Sequence, residues 1–166
     1  MNAKSTLKGN IPMFYIDETD RQIIELLQQD AKLNIKELAE QLHITKTPVY
    51  ERIKRLEREG IIDQYVALVD KSKISPYIMV FCAVTLDVQK ADFIAEFNSK
   101  ILEIPEVVEC YLTGGVFDFI LKVIVKDLKA YHEFATGKLA TLPNVSQIQS
   151  SFVLTEVKHT TAFPLL

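Results

Sequence analysis

Between Thr45 and Gly60 the chain sets Lys46, Thr47, Tyr50, Glu51, Arg52, Lys54, Arg55 and Arg58 at spacings that one helix would turn outward. Val49, Ile53 and Leu56 fall at i, i+4 and i+7 on the opposite side. This division suits DNA. Polar and charged side chains in the first turns can reach base edges, and cations in later turns can reach phosphates. Lys46, Thr47, Tyr50 and Glu51 are the expected base readers, with Arg52, Lys54 and Arg55 completing the contact set. Loss of Arg52 and Arg55 is expected to weaken DNA binding and spare the fold. The same residues also describe a solvated charged face on a purely structural bundle, since Glu51, Glu57 and Glu59 offset the five cations of the helix.

A second constellation, Thr113-Gly114-Gly115-Val116-Phe117-Asp118, lies between two apolar runs. A turn at the end of a sheet leaves backbone N–H groups open to an anion. Its two glycines permit close approach and positive φ, and Asp118 can accept from a cation. Gln149 and Ser151, from a later strand-like run, would complete a polar pocket without any catalytic group. Both ends of an amino acid would then be held, which implies binding and no turnover. A tight β-turn with no ligand accounts for the glycines equally. His43, His132 and His159 are scattered with no partner at ligand spacing, so neither a metal nor a cofactor is expected. Cys82 and Cys110 sit in strand-like runs and read as buried thiols.

The elements that must position these groups follow from periodicity. Asp17 with Asp20 three residues on forms a capping box ahead of Ile23, Ile24 and Leu27, which predicts a helix over about 18–30. Asn34 caps a second helix at about 35–42, Thr45 begins the third, and Gly60 ends it. From Ile61 to Asp70 the pattern turns to β-type. Ser75-Pro76 then marks a boundary, followed by β (78–88), α (90–103), β (107–113), β (117–126), α (128–141) and β (146–157). Lys100-Ile101…Ile104-Pro105…Val107 recurs as Lys138-Leu139…Leu142-Pro143…Val145, with Phe93 matching Tyr131. Two βαβ units so related predict a ferredoxin-like sheet with both helices on one face. Its strands are apolar on nearly every residue, as in Ile78 to Val84, so the other face needs cover, and a second subunit is the simplest.

At 166 residues two compact units are expected, with 48% hydrophobic and 25% charged residues. Residues 1–73 balance 12 Lys and Arg against 12 Asp and Glu, whereas residues 74–166 hold 7 and 10. DNA contact therefore belongs to the first half. The apolar runs are too short for a membrane span, and residues 1–10 lack a signal-peptide core, so a cytoplasmic protein is expected.

The motifs Ile16-Asp17-Glu18-Thr19-Asp20-Arg21, Thr45-Lys46-Thr47-Pro48-Val49, Arg52-Ile53-Lys54-Arg55-Leu56-Glu57 and Gly60-Ile61-Ile62 resemble those of the Lrp/AsnC (feast/famine) regulators. So do Gly115-Val116-Phe117-Asp118-Phe119, Leu142-Pro143-Asn144-Val145 and Glu156-Val157-Lys158, and the resemblance spans about 16–166. It implies an α+β protein: a winged helix-turn-helix (16–62) after an N-terminal extension (1–15), a β-type linker (63–76), and a βαββαβ ligand-sensing and oligomerisation domain (77–166). It also implies double-stranded DNA as partner, homodimers assembling to octamers, and an amino-acid effector bound between dimers near Thr113 to Asp118. Val116 stands where that family often has an acidic or polar residue, which favours an apolar effector side chain or none. Two rivals share parts of this pattern: a stand-alone small-molecule sensor, which would not need the cationic helix, and an enzyme like the siroheme decarboxylases, which would need active-site histidines.

Overall fold

The computed structural model describes residues 14–165, the side chain of Ser72 aside; most of the expected extension 1–15 thus lies outside the described residues. Two compact units emerge. One comprises residues 14–69 with 158–165, the other residues 70–157, so the segment after the last strand returns to the first unit.

The first unit is built on α1 (Glu18–Gln29), α2 (Ile35–Leu42) and α3 (Lys46–Arg58). The Asp17–Asp20 capping box forms as expected, and a second box joins Asn34 to Glu37. His43, which ends α2, takes the left-handed conformation (φ 55°) that a three-residue turn into α3 requires. Gly60 ends α3 at φ 70°, with its N–H on the Glu57 carbonyl and that of Ile61 on Leu56, both bonds of a Schellman motif. Ile23, Leu38, Val49 and Leu56 are fully buried at the centre.

Residues 61–70 carry no strand, contrary to their β-type pattern. Alternation specifies a face, but a ladder needs a neighbour for its N–H and C=O groups. Val66, Leu68 and Val69 are exposed, and a short 3₁₀ turn at Lys71–Lys73 follows.

The second unit runs β1 (Ile78–Leu86), α4 (Ala91–Ile101), β2 (Val107–Leu112), β3 (Phe119–Val125), α5 (Leu128–Phe134), a π turn (Ala135–Leu139) and β4 (Val145–Phe152). The antiparallel sheet has the order β2-β3-β1-β4, and this βαββαβ arrangement is ferredoxin-like. Val80, Cys82, Val84 and Leu86 of β1 alternate with Phe81, and together with Phe119, Leu121 and Val123 of β3 they face Phe97, Tyr131, Phe134 and Leu139. β4 is shorter than expected and ends at Phe152. The repeat is looser than its sequence suggests: Tyr131 is buried but Phe93 is exposed, and Phe97 fills the core instead. On the opposite sheet face Phe81 and Ile120 are accessible, as are Gln149 and Ser151. The doubly apolar pattern therefore holds best for β1; on β3 it is interrupted by Lys122, which lies opposite Phe81 and pairs with Glu109 at 2.8 Å, and it fails on edge strand β4. Cys82 is buried, Cys110 is half-buried, and both are free thiols.

Candidate nucleic-acid interface and effector turn

Helix α3 has two different sides. Val49, Ile53 and Leu56 anchor it against α1 and α2, which leaves Lys46, Thr47, Tyr50, Glu51 and Lys54 exposed in one row over its first two and a half turns. The Lys54 ammonium lies 5.9 Å from the centroid of the Tyr50 ring and 2.7 Å from Glu57. Glu57 is held below the usual carboxylate range by Lys54, with help from the Tyr65 hydroxyl that donates to it at 3.0 Å. Burial first, then Glu57, pushes Tyr65 up to about 12.

Arg52 and Arg55 point elsewhere. Arg52 Nη1 lies 2.6 Å from Asp17 and 2.8 Å from Asp20, and Arg55 pairs with the second oxygen of Asp20. Asp20 is fully buried and also accepts the backbone N–H of Asp17 in the capping box. Asp17 is held below its ordinary pKa chiefly by the backbone N–H of Asp20, then by Arg52, and Arg52 is raised by the carboxylates of Asp20 and then Asp17. The expectation that the fold would be indifferent to these arginines is corrected: they are the cationic partners of a fully buried carboxylate and tie α3 to α1. The hub was not visible in the sequence, because Asp20 lies 32 and 35 residues from its partners.

The turn Thr113 to Asp118 joins β2 to β3. The Thr113 N–H donates to the Asp118 carbonyl at 2.8 Å, and its hydroxyl donates to Phe117. Gly114 and Gly115 do not have positive φ, and an added Cβ at either would meet nothing within 4 Å, so the backbone conformation itself does not require glycine. Asp118 is occupied. One oxygen accepts the Leu86 N–H at 2.7 Å and the other accepts Gln89 Nε2 at 2.7 Å, so its carboxylate ties the β1–α4 loop instead of facing a free cation. Val116 is 87% exposed. Gln149 and Ser151 pair with Ala83 and Phe81 on edge strand β4, across the sheet from the β2–β3 turn, and one protomer does not bring them together with it.

Asn144 ties a loop through bonds that its place in the sequence does not announce. In the left-handed region at φ 66°, it accepts the Val88 N–H and donates back to the Val88 carbonyl, fixing the same loop that Asp118 holds. In the first unit, Gln28 exchanges two hydrogen bonds with the Phe163 backbone and Arg21 donates to the Leu165 carbonyl, which seats residues 163–165 against α1.

Comparison with known proteins covers nearly the whole chain. Residues 16–63 match a winged helix-turn-helix DNA-binding domain, and residues 79–163 match the Lrp/AsnC ligand binding domain. The Bkd operon transcriptional regulator of Pseudomonas aeruginosa is 37% identical over 153 residues, covering 92% of this chain and 100% of the relative. The DNA-binding transcriptional activator DecR of Escherichia coli K12 is 35% identical over 150 residues, covering 90% and 99%. The crystal structure of a transcriptional regulator from Neisseria meningitidis in complex with L-Met aligns with a TM-score of 0.84 at 33% identity, covering 90% of this chain and 97% of that one.

Proposed function

The chain belongs to the Lrp/AsnC family of transcription regulators, and from that membership we propose that residues 16–62 read operator DNA through α3 while residues from 77 onward sense an amino acid and join subunits. The chain is a sequence-specific DNA-binding regulator. The observation that carries this reading at the level of residues is the exposed row Lys46, Thr47, Tyr50, Glu51 and Lys54 on a helix whose other side is locked by its core. Lys46 and Lys54 take the phosphate role, since both are exposed and the ion pair of Lys54 with Glu57 lies at the surface, whereas Arg52 and Arg55 are held by the buried Asp20.

For the effector, the N–H groups of Gly114, Gly115 and Val116 make no hydrogen bond among the described residues and suit a carboxylate. The amino end finds no free carboxylate on Asp118, so a neighbouring subunit completes the site. The L-Met complex of the Neisseria meningitidis relative supports an amino acid as ligand. The accessible Phe81, Ala83 and Ile120 support a dimer made through the open sheet face, and family membership is the ground for dimers joining into octamers. No helix among the described residues is long and apolar enough to cross a membrane, and the cytoplasm is where such a regulator meets DNA. The role is binding without catalysis, in keeping with relatives that are regulators.

Titration of upstream DNA with the full chain at several salt concentrations tests this. Lys46→Ala with Lys54→Ala should lower affinity and reduce the salt slope by about two units for each bound subunit. Calorimetry with a panel of amino acids should detect one ligand for the native chain and none for Gly115→Val, whose fold should hold because an added Cβ meets nothing within 4 Å and the backbone does not take positive φ. Equal binding by both proteins would place the site elsewhere.

A further inference from the structure

The three carboxylates of the third helix differ in their surroundings. Glu57 is bound by Lys54 and Tyr65, and Glu59 is bound by Arg58. Glu51 is exposed between Tyr50 and the Lys54 turn, and it makes no hydrogen bond or ion pair with any described residue. It therefore brings a bare negative charge to a surface meant for a polyanion, where every phosphate repels it. A hydrogen-bond donor on a base edge offsets that repulsion directly, and the major groove offers two kinds, the cytosine N4 and adenine N6 amino groups. Adenine sets its N7 acceptor beside its donor, facing the second carboxylate oxygen, whereas cytosine has no acceptor on its own major-groove edge.

We propose that Glu51 is a specificity residue that selects a cytosine in each half-site by accepting from its N4 amino group. This rests on the reading of α3 as the DNA-reading helix and names what one of its residues recognises. Thr47, one turn earlier, and Lys54, one turn later, flank it on the same face, so Glu51 reads near the middle of the contacted bases while Lys54 reaches toward the backbone.

Selection of bound duplexes from a randomised pool by the full chain, by Glu51→Ala and by Glu51→Gln tests the assignment, with unfolding curves confirming that all three proteins are equally folded. The native chain should enrich one cytosine per half-site by roughly tenfold over other bases. Glu51→Ala should lose that preference alone and bind unrelated DNA more tightly. Glu51→Gln should move it toward adenine, whose N6 and N7 a carboxamide matches. Replacing the selected cytosine with pyrimidin-2-one, which lacks the amino group, should cost the native chain about tenfold and Glu51→Ala nothing. An unchanged cytosine preference in Glu51→Ala overturns the proposal, as does loss of preference at every position together. If the native chain enriches no sequence at all, the reading of α3 fails first and takes this one with it.

Discussion

Asp20 shows how one residue can serve two structures. As the third residue of α1 it closes the capping box with Asp17, and as a buried carboxylate it draws Arg52 and Arg55 of α3 against α1. Removing both arginines would leave that carboxylate with only the Asp17 N–H and no cationic partner in the interior, at a cost of about 3 kcal/mol. Arg52→Ala with Arg55→Ala should therefore lower the denaturant midpoint of the first unit, and adding Asp20→Asn should recover part of the loss. DNA binding would fall with the fold, and recovery of binding together with stability identifies the arginines as structural. Asp17 adds a pH dependence. Its pKa is depressed in the native state, so its contribution is complete above the unfolded value of about 4 and disappears as pH falls through the lower native value. Stability measured between pH 6 and pH 3 should decline less for Asp17→Asn than for the native chain.

Two non-glycine residues in the left-handed region end elements in different ways. His43 joins α2 to α3 at φ 55°, and its imidazole makes no hydrogen bond among the described residues. Asn144 opens β4 at φ 66° and clamps Val88 from both sides. Glycine relieves the backbone cost at either place, but only Asn144 gives up side-chain bonds for it. His43→Gly should raise the melting temperature by an amount equivalent to about 0.5–1 kcal/mol, and Asn144→Gly should lower it. A lower melting temperature for His43→Gly would show that the turn depends on the imidazole. These elements also show what the sequence could tell. The Asp17 box, the Asn34 cap, the Gly60 stop and the order βαββαβ are local patterns and were legible. The Asp20 pairs, the loop ties of Asp118 and Asn144, and the absence of a strand at 61–70 depend on residues far along the chain. For the exposed row of α3 residue type was enough, yet type alone also sent Arg52 and Arg55 outward.

Across the whole molecule, the first unit is closed by residues 158–165, which Gln28 and Arg21 hold by backbone hydrogen bonds while Leu165 packs against the helical core. Deleting residues 158–166 should destabilise the helix-turn-helix unit and leave the sheet unit's melting unchanged. Hydrogen exchange, resolved by segment, would show faster exchange in α1 and little change in β1 and β3. Equal exchange in α1 with and without the segment would mean that these bonds contribute nothing to its stability.

That closure also sets an order of events during synthesis. Residues 14–69 leave the ribosome first, but the strand of chain that completes their unit is made only after the entire sheet unit has been translated, on the order of ten seconds later at ordinary elongation rates. The strands β1, β2 and β3 are made while the helices still wait for residues 158–165. Chains abandoned before that point would carry the sheet unit beside an unfinished helix-turn-helix unit.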